Sequence, residues 1–185
     1  MYHIKNDKRA RASTELICAG LLACMKEKPF ARITITDVQR ASTVSRSTFY
    51  RNFDCLEDVL ALLWDRGFQA VFSEYNALPP EQRGSLAKAV FQYWFRNSAV
   101  LEALVQIHRT DILFDSLRRS SGLIQALQPM ADDPARFDYF VAIITSSMIG
   151  VLTVWVEHGK TETEDQMVQK LTSAFIEMAI LELPG

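Results

Sequence analysis

Glycine and proline are scarce in this chain of 185 residues, seven and six in number, and no alternating β-type run bounded by turn residues recurs. That shortage excludes a sheet-rich fold. The chain reads as all-α, and 49% hydrophobic residues give enough core for a small domain and a larger helical one. Cysteine is also sparse: Cys18, Cys24 and Cys55 are odd in number and form no Cys-x-x-Cys or Cys/His group. No zinc site is indicated, and the three read as buried free thiols. The only histidines are His3, His108 and His158, with no clustered carboxylates around them, so no nucleophile–base or metal constellation points to an enzyme or a cofactor. The first nine residues lack an apolar h-region, and a cytoplasmic location is the default expectation.

What the chain does have is a dense local pattern from Ser42 to Phe53. Upstream, Thr36-Asp37-Val38-Gln39 has the form of a capping box and predicts a short helix through about Ala41. Thr43 and Val44 break it. Ser45 can then cap a second helix by accepting from the N–H of Ser47 or Thr48, which is helix-turn-helix spacing. On that helix Phe49 and Phe53 lie four apart and are expected to face inward. Arg46, Ser47, Thr48, Tyr50 and Asn52 crowd the other side, a set suited to base edges and phosphate oxygens in a major groove. Spacing alone equally fits an ordinary capped surface helix.

The surroundings carry more information. A first helix with Ile17, Ala19 and Leu22 leads into the run from Phe30 to Val38, then Ala41, Val44-Ser45, Thr48-Phe49-Tyr50, Phe53 and Glu57-Asp58-Val59-Leu60. Over these residues the segment from about Arg11 to Leu63 resembles the N-terminal domain of the TetR family of bacterial transcriptional regulators. The resemblance implies an N-terminal three-helix DNA-binding domain, residues 1–53, and a regulatory domain, residues 54–185, for ligand binding and dimerisation. It implies double-stranded DNA as partner, with Arg32, Thr36, Ser45, Arg46, Ser47, Thr48, Tyr50, Arg51 and Asn52 as the DNA-binding set. Three positions depart from the family pattern: Thr43 and Ser47, where glycine is usual or frequent, and Leu56, where a basic residue usually stands.

Charge is divided in the same way. Residues 1–53 hold ten Lys/Arg against four Asp/Glu, a net of +6, while residues 54–185 carry −8. Lys5, Lys8, Arg9 and Arg11 read either as a solvated tail or as an arm that lies along DNA. Arg32 and Arg40 flank the first motif helix, and Thr36 could serve both as its cap and as a phosphate contact.

Further on, Asp54-x-x-Glu57 is expected to start a long helix with Leu60, Leu63, Trp64, Phe68, Val71, Phe72 and Tyr75 in one stripe, ended by Leu78-Pro79-Pro80. Two helical runs meet near Ser98, another spans about Thr110 to Leu127 with Pro129 closing it, and Asp133-Pro134 opens the next. That next stretch has no charge for eighteen residues, from Tyr139 to Val156. A membrane span is disfavoured by Thr145, Ser146, Ser147 and Thr153 within it and by the absence of a basic flank. Ala142, Ser146 and Gly150 make a small-residue stripe that permits close helix approach. Gly159 ends this helix, and Thr161 or Thr163 caps the last one. In TetR-like proteins the last two long helices form a dimeric four-helix bundle, which implies a homodimer through Ala142, Ser146, Gly150, Trp155, Leu171, Phe175 and Met178.

Between these parts Trp64, Phe68, Phe72, Phe91, Trp94, Phe95, His108, Phe114, Met130 and Phe137 are unusually aromatic. They read either as plain core or, by the resemblance, as a pocket for a small, largely apolar effector. The function implied is a repressing regulator that binds a pseudo-palindromic operator as a homodimer and is released by that ligand. The rival is a TetR-fold protein acting mainly through protein–protein contacts.

Overall fold

The computed structural model describes residues 2–5, 7–128 and 134–181. Among these the regular secondary structure is all helical: α1 (Lys8–Glu27), α2 (Ile35–Ser42), α3 (Arg46–Asn52), α4 (Leu56–Ala77), α5 (Leu86–Arg96), α6 (Ser98–Gln106), α7 (Thr110–Arg118), α8 (Ser121–Leu127), α9 (Pro134–Glu157) and α10 (Glu164–Leu181). Helices α1 to α3 make the head. Helix α4 leaves it, with Leu56, Val59 and Leu60 buried on the head side and Trp64, Phe68 and Phe72 buried among α5 to α8. Helix α9 lies on α6 and α7, and α10 on α5 and α9.

Most starts follow the local chemistry. Asp7, Ser45, Ser85 and Ser120 each accept a backbone N–H three residues on, and Thr163 and Gln166 hold the start of α10 reciprocally. The cap of α2 is Thr34 rather than Thr36. Asp37 accepts from the Thr34 N–H at 2.8 Å and from its hydroxyl at 2.7 Å, while Lys28 binds the same carboxylate at 2.7 Å. Two registers were open to this sequence, Thr-x-x-Asp and Thr-x-x-Gln. The ionised one also gains from the helix dipole and from Lys28. Likewise α4 starts at Leu56, and Asp58, not Glu57, reaches back to the N–H groups of Asp54 and Cys55.

The run expected as one helix from Thr110 to Leu127 is two. Ser120-Ser121-Gly122 are poor helix formers, Ser120 recaps the chain, and the Gly122 carbonyl accepts from Asn76 of α4 at 2.9 Å. The expectations on Pro129, Met130 and Asp133 lie outside the described residues.

The turn between α2 and α3 puts Thr43 in the left-handed region, at φ 57° and ψ 15°. A β-branched residue pays for this conformation, by about 1–2 kcal/mol, and glycine does not. After the larger unfolded-state entropy of glycine is deducted, Thr43→Gly is expected to stabilise the protein by about 1 kcal/mol in urea unfolding. A loss of stability would show instead that the Thr43 side chain supports the turn.

Candidate nucleic-acid interface

The head owes its shape to the packing of α1 on α2 and to the two phenylalanines beneath α3. Gly20 of α1 permits the first, since a Cβ there would stand 2.8 Å from the Ser42 Cβ and 3.1 Å from the Val38 carbonyl oxygen. Phe49 and Phe53 are buried and in ring contact, centroids 5.8 Å apart. They set the rotation of α3, and with it the face turned to solvent.

On that face Arg46, Ser47, Tyr50 and Arg51 are exposed and Thr48 is half-buried. The Arg46 guanidinium lies 5.5 Å from the centre of the Tyr50 ring, with Nη2 3.4 Å from the phenolic oxygen. Such a contact is worth about 0.5–1 kcal/mol at an exposed site, enough to bias Arg46 toward one rotamer without fixing it. Ser45 Oγ caps α3 and also lies 2.9 Å from Thr48 Oγ1 and 3.1 Å from Ser47 Oγ, so three hydroxyls cluster at the start of the helix. Arg32, Thr36 and Arg40 are exposed on and beside α2. The Lys28 amine beside Asp37 holds that carboxyl well below the usual carboxylate range, so the α2 start stays capped by a charged group.

Asn52 does not share this face. It is 1% exposed, and its amide donates to Ser13 Oγ at 3.3 Å and to the Thr48 carbonyl at 3.0 Å, joining α3 to α1. Leu56, where the resemblance leads one to expect a basic side chain, is buried in the core. Lys8, Arg9 and Arg11 belong to α1 rather than to an arm. The segment before them runs over the end of α3, where the His3 N–H donates to the Asn52 carbonyl at 3.0 Å.

Of the aromatic set in the body, Trp64, Phe68, Phe72, Phe91 and Trp94 are at most 1% exposed; Trp64, Phe68, Phe72 and Trp94 pack on one another, with Trp64 and Trp94 stacked at 3.8 Å. They fill space rather than surround it. Phe95 is half-buried and stacks on Trp155 at 4.0 Å, Phe114 and Phe137 are half-buried, and His108 is exposed in the α6–α7 turn with φ 57°. A cleft of about 600 Å³ does open between α4, α7 and α8, and its walls mix polar and apolar surface: Asp65, Gln69, Asn76, Ser116 and Arg119 line it together with Phe68 and Phe72.

Along α9, Ser146 and Gly150 are exposed and Ala142 is half-buried, the Ser146 hydroxyl being spent on the Ala142 carbonyl at 2.8 Å. Tyr139, Ile143 and Val154 are exposed beside them, and Ile176, Met178 and Ile180 on α10. Leu171 and Phe175 are half-buried. Trp155 is only 3% exposed, because its ring lies against Phe95 and its indole N–H donates to the Glu162 carbonyl at 3.2 Å. It belongs to the interior of the chain and not to the open face.

All three cysteines are free. Burial pushes the Cys18 and Cys55 thiols up to about 11, so both stay protonated at neutral pH.

A TetR-type family model described as "Transcriptional regulator C-terminal region" matches residues 85–177, half of the chain. The chain belongs to the TetR family of transcriptional regulators. Solved structures share its fold. A TetR transcriptional regulator from Streptococcus agalactiae is 18% identical with a TM-score of 0.60, the match covering 91% of this chain and 96% of that one. A protein assigned to the same family from Syntrophomonas wolfei is also 18% identical, with a TM-score of 0.65 over 94% and 97% of the two chains. No curated protein matches the sequence significantly. For this TetR-family chain the helix-turn-helix is therefore α2 and α3, and the matched region begins at the cap of α5. Tyr2, Asp65 and Ser116 carry no sequence signal that links them, because none sits in a periodic pattern that points to the others.

Proposed function

We propose that the protein represses transcription by binding a pseudo-palindromic operator as a homodimer, reading bases through α3, and that a small effector changes its grip. The observation that carries this reading is the exposed Arg46–Tyr50 face on a capped helix whose rotation is set by buried Phe49 and Phe53. A head of net charge +6 supports it. So does the apolar face left open on α9 and α10, because two-fold pairing there would set two recognition helices about one DNA turn apart. Arg32, Thr36, Ser47, Thr48 and Arg51 are assigned to phosphate and groove contacts around that helix. Since the aromatic core is closely packed, the effector is assigned to the α4–α7–α8 cleft.

The test is fluorescence anisotropy on operator fragments selected from genomic DNA, repeated across salt concentrations. Affinity should fall steeply as salt rises. Arg46→Ala should cost about 1–3 kcal/mol on the selected site and flatten the preference over random DNA, whereas Tyr50→Phe should weaken both alike. Salt-independent binding, or equal losses for both variants on all sequences, would count against this division of labour.

A further inference from the structure

Residues 2–5 tie the recognition helix to the regulatory body. The His3 N–H is bonded to the last residue of α3, and Ile4 packs on the hydrophobic core. One residue earlier, the Tyr2 hydroxyl donates to Asp65 Oδ2 of α4 at 2.5 Å, while Ser116 of α7 donates to the other oxygen of the same carboxylate. Asp65 and Ser116 are also wall residues of the cleft, and Phe68 and Phe72 lie one and two turns along α4 from Asp65. A carboxylate with both oxygens held by neutral hydroxyls, next to apolar ring surface, is an acceptor for a ring that carries a hydroxyl.

We propose that Asp65 and Ser116 form a phenol-accepting subsite, filled by the chain's own Tyr2, and that a free phenol taking its place unclips residues 2–5 from the end of α3. The consequence for DNA rests on the repressor reading above; the subsite and the unclipping do not. Burial and the Asp65 carboxylate raise the Tyr2 hydroxyl to about 12, which keeps it a donor across the physiological range. Because Tyr2 is tethered, its effective concentration is of order millimolar, and a free phenol must approach that level to compete. Arg66 meanwhile holds Glu15 of α1 at 2.6 and 3.0 Å, a separate head-to-body tie that keeps the domains docked when Tyr2 leaves.

The probe is p-cresol, the tyrosine side chain as a free molecule, with toluene as the control without a hydroxyl, both on the full chain. By calorimetric titration Tyr2→Ala should bind p-cresol at least tenfold more tightly than the natural chain, and adding Asp65→Ala should abolish the gain. Equal binding by Tyr2→Ala and the natural chain, or a gain that survives loss of Asp65, would overturn the subsite. In the natural chain, millimolar p-cresol should speed exchange of the His3 amide at least tenfold and toluene should not; Tyr2→Phe, which keeps the ring, should show the fast exchange unaided. Unchanged His3 exchange in both cases would overturn the unclipping. If both hold, p-cresol should also weaken operator binding severalfold. A natural chain that binds no DNA without p-cresol would count against the repressor reading and leave the two DNA-free results to decide the subsite.

Discussion

Trp94→Ala should cost the protein about 4 kcal/mol of folding stability, the scale seen when a large buried ring is deleted. Trp94 is 1% exposed and is enclosed by rigid neighbours: the Trp64 ring at 3.8 Å, the Phe68 ring at 5.4 Å and the Tyr93 ring at 5.0 Å. Its far edge reaches α4 at Gly67, where a Cβ would stand 2.7 Å from it, so the helices are spaced for this one side chain. Rings and helix backbone collapse poorly into a void, which puts the loss toward the upper end of the range for core deletions. One feature works in the opposite direction. The Trp94 indole N–H is buried without a partner, so Trp94→Phe gives up ring area but also removes an unsatisfied donor, and should lose about 1–2 kcal/mol. Urea unfolding of the two variants checks both values. An alanine variant within 1 kcal/mol of the natural protein would show that the stack is not what holds α5 to α4. For a chain whose total stability is of order 5–15 kcal/mol, the alanine variant comes close to the unfolding threshold at growth temperature.

Ile143→Asp should leave the monomer folded and remove the proposed dimer. Ile143 is 52% exposed in the chain, in line with Tyr139 and Val154 at 75% and 46%, so a carboxylate there meets water in the monomer. In a two-fold pair it would be desolvated opposite its own copy, two like charges in an apolar interface. The expected result is a dimer dissociation constant raised at least about a hundredfold, by roughly 3 kcal/mol or more. Operator affinity should fall with it, since each protomer would hold its half-site alone. Sedimentation measures the first, anisotropy the second, and circular dichroism should show unchanged helix content. A variant that still sediments as a dimer would place the interface on another face.

Much of the helical framework was legible in the sequence because its cues act over a few residues. Ser45, Ser85 and Thr163 are hydroxyls followed by helix formers, and each is a cap. The αL demand at Thr43 follows from two short helices meeting across three residues. Where two local solutions compete, the more distant contact decides: Thr34 rather than Thr36 caps α2, because Lys28, outside the short window that defines a capping box, binds Asp37. Asn52 lies inside for a different reason. It stands three residues after Phe49 and one before Phe53, so its angular position on α3 is interior despite its polarity. The break at Ser120 was available as three weak helix formers in a row but was hidden by leucines that kept helical spacing on either side.

By itself the sequence determined the all-helical class, the helix-turn-helix with its Arg46–Tyr50 face, and the division into a basic head and an acidic body. Those depend on backbone propensity, caps and formal charge, which a residue carries wherever it is placed. Tertiary structure alone decided that Trp64, Phe68, Phe72 and Trp94 close on one another, that the open cleft lies among α4, α7 and α8, that Trp155 turns inward, and that Tyr2 reaches Asp65 across 63 positions of chain. Packing of that kind depends on which side chains meet from distant elements, and no local spacing encodes it.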